Sequence, residues 1–409
     1  MMRKASRGAG ALGVAAALAL TAACGFGGDE PTQSDEDRLV DMVNESARLD
    51  AELSAAEHRI IVNCLEEQGH TVHDAYTMEQ WEPQEMDSLT YEYPHESFIL
   101  SKEDAAEYGF GAWADAEGSD PEESQAYYEH QEEQYEDEYD ENYEEPDNSE
   151  FEALDPQEQY DWWVAYYGEE KAAEWDAYLL DENYGEEGMP EDGVATEEPG
   201  ADGAIVLEDE EYVEPKPGGC ELEMIEGLYG EPELVEHEGE SAEESWTEWS
   251  YRPENPEYGS ETMWEDIQLA YLDKIGDLPY DFSDCLAERG HEGWEIGEGG
   301  YVPTWEYFYQ IYWDESQEDM YGDMEGYEAP ELPPLPDDLP SSYEDKKAYE
   351  IEVAIAFAEC GEELDYATKS TEAYDQVHID AYTAIEEDVF AWQEEMRDAI
   401  EKAQEMIGS

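Results

Sequence analysis

Apolar residues recur at steps of three or four along several stretches of the chain, the spacing that lines one face of an α-helix. The first stretch spans residues 36–68, follows Ser34, a residue type that favours helix N-caps, and stops at Gly69. Its apolar positions are Leu39, Met42, Val43, Leu49, Leu53, Ala56 and Ile60. This pattern predicts a long amphipathic helix.

The same reasoning predicts helices over most of the remaining apolar stretches. They span residues 155–180 (broken at Gly168), 220–229, 263–275, 281–289, 344–366 and 371–407. The last is the longest, whereas residues 295–313, dense in Tyr and Trp, suggest a short strand or hairpin around Gly299 and Gly300. The predicted fold class is mainly α, with two related helical units that each hold one disulfide, a long C-terminal helix and acidic disordered inserts.

Acidic stretches separate these helices. Residues 121–150 contain no Lys or Arg, residues 183–219 and 232–259 are rich in Gly, Pro and Glu, and residues 329–342 are rich in Pro. Such composition is typical of inserts and linkers. We therefore expect residues 121–150 and 183–217 to lack a hydrophobic core of their own.

The start of the chain has the pattern of an export signal. A basic head precedes an apolar stretch, residues 9–20, that is too short to span a bilayer comfortably. The following Thr21-Ala22-Ala23-Cys24 resembles the bacterial lipobox, which implies cleavage before Cys24 and a diacylglycerol group on its sulfur. We expect a signal peptide at 1–23, a lipidated tether at 24–35 and an anchor on the extracytoplasmic face of the cell membrane. An ordinary secretory signal with an unmodified Cys24 is the alternative.

A short motif occurs twice. Cys64 to His70 and Cys285 to His291 both read Cys-Leu-x-Glu-x-Gly-His, and each copy closes a predicted helix with a glycine, Gly69 or Gly290. Each copy is followed, after an insert, by another cysteine. The repeat predicts a duplicated architecture, with a first unit at 36–231, a linker at 232–262 and a second unit at 263–409.

Four cysteines remain once Cys24 is assigned to the lipid. An even number outside the cytoplasm indicates two disulfides, and four cysteines allow three pairings. The repeat favours Cys64–Cys220 and Cys285–Cys360, because each half would then be closed on itself. A Cys64–Cys285 bridge would mean instead that the halves interlock. No CxxC motif or Cys/His cluster suggests zinc.

Charge limits the partners of the protein. Asp and Glu number 115 against 17 Lys and Arg, which gives a formal net charge of −98. Repulsion argues against nucleic acid and anionic lipid headgroups, and permits cations or basic envelope proteins. A mean hydropathy of −0.83 would suggest disorder, but 12 Trp and 31 Tyr can supply a buried core. We also expect the fold to gain stability in salt.

Candidate chemistry is sparse. His70 and His291 fit a packing role beyond a helix end, although His70 with His73 and Asp74 could form a surface metal site. No hydrolase motif is present, and the sequence indicates no catalytic residue, resident metal or cofactor. The aromatic run Trp305, Tyr307, Phe308, Tyr309, Tyr312 and Trp313 suggests either core or a groove for a sugar or peptide.

The order of these landmarks resembles a family of large, acidic, uncharacterised actinobacterial lipoproteins. The matching elements are residues 64–70, 218–230 (GGCELEMIEGLYG), 285–291 and 351–360 (IEVAIAFAEC), with His70 and His291 where the family more often has an aromatic. The resemblance implies export and architecture but no chemistry. We expect a non-enzymatic binding or structural protein of the cell envelope. An envelope enzyme with an unrecognised active site is the alternative, and a deep pocket holding buried carboxylates or histidines would favour it.

Overall fold

Helices dominate the structure, a computed structural model that describes residues 34–80, 82–134, 145–173, 214–237, 246–258, 261–297, 300–313, 330–336, 339 and 341–408. In chain order they are α1 (Asp35–Gln68), α2 (Lys102–Glu107), α3 (Pro121–Gln134), α4 (Ser149–Glu152), α5 (Pro156–Tyr167), α6 (Gly219–Leu228), α7 (Glu261–Ile275), α8 (Leu278–Glu288), α9 (Thr304–Trp313), α10 (Tyr343–Leu364) and α11 (Tyr366–Ile407). A 3₁₀ turn spans Ala112–Asp115, and strands β1 (Glu233–His237) and β2 (Trp246–Ser250) pair antiparallel. The predicted mainly α fold class is confirmed.

The two longest helices, α1 and α11, pack against each other. The apolar stripe predicted for α1 is buried, as is most of the stripe predicted for α11. Midway along the pair, Leu49 and Leu53 of α1 meet Trp392 and Met396 of α11 in a shared cluster. Burial of such a stripe supplies most of the stability of a helix in a protein, since isolated helices are marginal in water.

The largest hydrophobic cluster joins segments from both predicted units. Its centre is a set of aromatic rings, in which Phe98 meets Phe282, Phe357 and Tyr366 edge to face at centroid distances of 5.6–6.5 Å. Edge-to-face contacts add to the free energy gained from burial. Leu39 of α1 belongs to the same cluster. The two predicted units are therefore visible as a repeat in the sequence, but in the structure they contribute to one common hydrophobic cluster.

Both predicted disulfides are confirmed. Cys64 on α1 bonds Cys220 on α6, and Cys285 on α8 bonds Cys360 on α10, with Cα–Cα distances of 5.7 and 5.9 Å. Cys220 and Leu65 lie in a second hydrophobic cluster with Trp162 of α5. Each disulfide thus fixes two helices that also pack through apolar side chains.

The two copies of the repeated motif end their helices in the same way. Gly69 and Gly290 have positive φ angles of 102° and 93°. The N–H groups of His70 and His291 each donate to the carbonyl five residues earlier, at 3.0 Å, and the preceding glycines donate to the carbonyl three residues earlier. This is the Schellman arrangement, which satisfies carbonyls that the last helical turn would leave unpaired. The predicted glycine caps are confirmed.

Three segments differ from the sequence-based expectation. The aromatic stretch expected to form a strand or hairpin is instead helix α9, with Tyr307 and Phe308 buried. A hairpin occurs at β1 and β2, inside the predicted linker. Part of the acidic segment 121–150 forms α3, of which the described side chains are mostly exposed. The prediction of a strand or hairpin is wrong here, because periodicity over so few residues does not separate a strand from a helix.

Several predictions lie outside the described residues. The signal peptide, Cys24 and most of the tether precede residue 34, and most of the acidic insert at 183–217 falls in the gap between 173 and 214. Among the described helices, none is both long and apolar enough to cross a membrane.

Candidate binding surface

The repeated histidines lie beside their helix ends rather than in a metal site. His291 is half-buried with its ring centroid 6.4 Å from that of Tyr349, and burial lowers its pKa. His70 is also half-buried. The Nδ1 atom of His73 lies 3.3 Å from the indole nitrogen of Trp162.

The predicted alternative of a metal site is wrong within the described residues. Asp74 accepts a hydrogen bond of 2.9 Å from the backbone N–H of Thr77, so its carboxylate serves a local turn. No group of three or more His, Cys, Asp or Glu side chains in this part of the chain could hold a metal ion. The His and Asp residues at 70–74 are therefore accounted for by packing and turn formation.

The aromatic run on α9 divides between the core and the surface. Trp305, Tyr309 and Trp313 follow one another at four-residue steps, with ring centroids 4.9 and 4.5 Å apart. Tyr309 and Trp313 stack at an interplanar angle of 16°. Trp305 is tilted by 36° against Tyr309 and is 50% exposed. The stack accounts for the four-residue spacing, and the groove for a sugar or peptide stays a prediction.

A hydroxyl, an imidazole and a phenol meet in the core. The Ser370 hydroxyl lies 2.9 Å from Nδ1 of His95 and 2.8 Å from the hydroxyl of Tyr271. Nucleophilic catalysis uses such a serine–histidine pair. All three residues are at most 5% exposed, however, and burial lowers the pKa of His95, which favours the neutral ring. Since no substrate reaches them, the arrangement stabilises the fold.

Two depressions in the described surface are open to solvent. One, of about 660 Å³, lies between α7 and α11 and is lined by Lys274, Leu278, Lys369 and Asp375 among others. A second, of about 530 Å³, lies beside α3 and is lined by Asp115, Ser124 and Glu129 among others. Neither contains the buried carboxylates or histidines described here. Neither is the deep pocket that would favour an envelope enzyme.

Most of the described Lys and Arg side chains form ion pairs or hydrogen bonds within the protein. Among the described residues, these form ion pairs with carboxylates: Arg38, Arg48, Lys102, Lys171, Lys216, Arg252, Lys274, Arg289, Lys347 and Arg397. Lys346, Lys369 and Lys402 donate to backbone carbonyls. The large excess of Asp and Glu therefore has few cations left to neutralise it, and the described surface carries a strong negative charge.

One surface brings buried carboxylates and exposed aromatics together. Residues 251–258, which follow β2, lie along α1 and α11. The indole N–H of Trp392 donates to the carbonyl of Pro253 at 3.0 Å, and Arg252 pairs with Asp50 at 3.0 Å and with Glu57 at 3.5 Å. These contacts fix the segment to α1 through Arg252 and to α11 through Pro253.

Glu257 is a buried carboxylate of this surface. It accepts a hydrogen bond of 2.9 Å from Ser46, whose hydroxyl also accepts one of 3.0 Å from the side-chain amide of Gln393. Burial raises the pKa of Glu257, and the hydrogen bonds from Ser46 and Asn255 oppose that rise. A perturbed carboxyl in a polar network is a recognised indicator of a functional site.

Two tyrosines of the described surface are strongly exposed. Tyr91 is 75% exposed and Tyr258 is 80% exposed. Burial raises the pKa of Tyr382 to about 12, and the charges of Glu257, Tyr258 and Tyr91 add to that rise. We call Tyr91, Tyr258, Tyr382 and Glu257 the tyrosine patch. Sequence reasoning missed it, because its members come from three distant segments and no short motif marks them.

Comparisons with known proteins find no similar protein. No family model matches the chain, and no curated protein or solved structure is found to be similar to it.

Proposed function

We propose that the protein is a lipid-anchored, extracytoplasmic envelope protein that binds cationic partners and has no catalytic activity. The anchor rests on the basic head, the short apolar stretch and the lipobox-like residues that end at Cys24. The partner class rests on charge. A surface this acidic attracts basic proteins or peptides and concentrates them near it.

The observation that carries the proposal is the pairing of basic side chains within the fold. Most described Lys and Arg residues already contact a carboxylate or a carbonyl. The surplus acidic side chains can therefore be neutralised only by cations that the protein does not itself supply. An enzyme would need accessible catalytic groups. The serine–histidine pair at Ser370 and His95 is buried and cannot meet a substrate.

The anchor is tested by expression in a lipoprotein-processing bacterium with a labelled fatty acid. Label is expected on the wild type, and the Cys24→Ala variant should carry none and leave the membrane fraction. Label that persists on the variant, or a wild type without label, would contradict the anchor. The variant is the matched control, because it differs only at the proposed lipid site.

The partner class is tested with a basic peptide of alternating lysine and glycine and with the same peptide acetylated on every lysine. Acetylation removes the charge and keeps most of the chain. The full chain should bind the first peptide and lose affinity for the second. Equal affinity for the two peptides would show that charge does not select the partner.

A further inference from the structure

We propose that the Cys285–Cys360 disulfide is a redox-sensitive site, which a dithiol reductant opens more readily at equilibrium than it opens Cys64–Cys220. The repeated motif supplies the difference, because the residue four positions after its first cysteine is neutral in one copy and cationic in the other. The inference goes beyond the proposed function and does not depend on the class of partner.

The two motif-equivalent residues, Gln68 and Arg289, both reach a disulfide sulfur. The Nη1 atom of Arg289 lies 2.8 Å from Sγ of Cys285. The Nε2 atom of Gln68 lies 3.1 Å from Sγ of Cys220 and 3.4 Å from Sγ of Cys64. The two disulfides thus have a hydrogen-bond donor from the same motif position, but only the donor beside Cys285 carries a charge.

This charge matters because reduction of a disulfide can produce a thiolate. A neighbouring cation stabilises a thiolate and thereby favours reduction. Arg289 is placed to do this for Cys285. The other disulfide has a neighbour of the opposite sign, since a carboxylate oxygen of Glu223 lies 3.5 Å from Sγ of Cys64 and would repel a thiolate there. Both neighbours therefore make Cys285–Cys360 the more easily reduced bond.

Two carboxylates on α10 share the guanidinium of Arg289. Glu363 lies 2.8 Å from Nη2 and Glu359 lies 3.5 Å from Nε. Both carboxylates are exposed, so solvent screens their effect on the sulfur. They use other nitrogens of the guanidinium, which leaves Nη1 directed at Sγ of Cys285 and, at 3.3 Å, at the carbonyl of the same residue.

The reaction that follows releases a proton. The dithiol gives two electrons to the Cys285–Cys360 bond, which breaks as an S–S bond forms in the reductant. Of the two protons that the dithiol loses, Cys360 takes one, and the other goes to water because Cys285 stays a thiolate beside Arg289. Reduction of Cys64–Cys220 at neutral pH yields two thiols and releases no proton. Only the first equilibrium should therefore shift toward reduction as pH rises through neutrality.

Access to the sulfur atoms favours the opposite order of reaction. Cys64 is half-exposed, whereas Cys285 is 8% exposed and Cys360 is fully buried. Access changes the rate of thiol–disulfide exchange and leaves the position of equilibrium unchanged. The effect of Arg289 is therefore measured at equilibrium.

The test uses the full chain with Cys24→Ser, which leaves the four bonded cysteines. The protein is equilibrated with mixtures of reduced and oxidised dithiothreitol, quenched in acid and alkylated, and peptide mass mapping gives a reduction constant for each disulfide. The constant of Cys285–Cys360 should exceed that of Cys64–Cys220 by about tenfold, the low end of the effect of a hydrogen bond to a charged group. It should also rise between pH 6 and pH 8.

Substitutions at the two motif positions isolate the charge. Arg289→Gln should lower the reduction constant of Cys285–Cys360 by about tenfold and remove its rise with pH. Arg289→Lys should keep most of both effects. Gln68→Arg, the matched change in the other copy, should raise the constant of the other disulfide. Glu363→Gln is the control, because it removes an ion pair to α10 and keeps the guanidinium beside the sulfur.

A purely structural role of Arg289 predicts the opposite result. If Arg289 only ties α8 to α10, its loss makes Cys285–Cys360 easier to reduce. That outcome, or equal reduction constants for the two disulfides of the parent chain, would overturn the proposal. Gln68→Arg leaves the contacts of Arg289 intact, so the test stays decisive even if Arg289→Gln does not fold. An unchanged constant for Cys64–Cys220 in this variant would also overturn the proposal.

Discussion

The hydroxyl of Ser46 on α1 donates a hydrogen bond of 2.9 Å to the carboxylate of Glu257, a residue 211 positions later in the chain. This bond fixes the end of the segment that follows β2 against the longest helix pair. It also fixes Tyr258, the next residue, at the surface. A contact inside the fold thereby determines where an aromatic ring meets solvent.

The glycine caps give a prediction about the repeat. Replacement of Gly69 or Gly290 by Ala should each lower the free energy of unfolding by about 1 kcal/mol, because a side chain disfavours positive φ. A Cβ at either position would meet nothing within 4 Å, so the cost comes from the backbone alone. Asn tolerates this conformation better than Ala, and the Gly→Asn variants should recover part of the loss.

Urea unfolding of the four variants measures these differences. Similar losses at both positions are expected, because the two caps share one hydrogen-bond pattern. Unchanged stability in both Ala variants would contradict the assignment of these glycines to the caps.

Much of the helical architecture was predictable from local signals. The buried stripes of α1 and α11 follow from periodicity, and the glycine stops and the disulfide pairing follow from the repeated motif. Helix α9 was not predictable in the same way, because an aromatic-rich stretch is compatible with a strand as well as with a buried helix.

The tyrosine patch was beyond sequence reasoning for a different reason. Ser46 and Gln393 are 347 positions apart, and nothing local indicates that they meet. Glu257 carries no signal either, because it is one of 115 acidic residues. Only the packing of α1 on α11 selects this carboxylate for burial.

The disulfides give a second prediction. Replacing both cysteines of either pair by serine should destabilise the protein by up to about 5 kcal/mol in the chain-entropy model. The paired cysteines are separated by 156 positions for Cys64–Cys220 and by 75 for Cys285–Cys360. A doubling of loop length adds about 0.6 kcal/mol, so loss of the first pair should cost slightly more.

Chemical denaturation of the two double-serine variants provides the comparison. A variant without Cys285 and Cys360 that is as stable as the wild type would show that the aromatic core holds α8 and α10 together unaided.

A buried glutamate gives a third prediction, on pH. Glu350 on α10 is fully buried and accepts hydrogen bonds of 3.0 Å from the backbone N–H groups of Phe110 and Ala112 and of 2.7 Å from Tyr312. Burial raises its pKa to about 7, against the opposing effect of these hydrogen bonds. The folded protein therefore keeps a proton on Glu350 that the unfolded chain releases near its ordinary pKa of 4.5.

The direction of the pH dependence of stability follows from this difference in pKa between the folded and unfolded states. The contribution of Glu350 to stability is fully present below pH 4.5 and is lost as pH rises to about 7, by roughly 3 kcal/mol. The Glu350→Gln variant stays neutral and should lack this step, so it should be more stable than the wild type at pH 8. Thermal unfolding of both proteins from pH 5 to pH 8 checks this, and parallel curves would contradict it.

Salt gives a fourth prediction, on stability. Like charges repel at four-residue spacing on a helix, as for the exposed Glu394 and Asp398 of α11. Counter-ions screen such repulsion within about 8–10 Å at ordinary ionic strength and about 3 Å at molar salt. The unfolding midpoint should therefore rise with sodium chloride, and further with a divalent cation. A non-ionic osmolyte is the control, and a midpoint that is flat or falls with salt would show that the fold already tolerates its charge.

The central claim is that charge selects the partner, and the salt dependence of peptide binding tests it most directly. The dissociation constant of the lysine peptide should be measured by titration calorimetry on the full chain from about 0.05 to 0.5 M sodium chloride, a range in which exposed charges become screened. We expect affinity to fall steadily as salt increases, with the acetylated peptide binding weakly throughout. An affinity for the lysine peptide that does not change with salt would contradict the account.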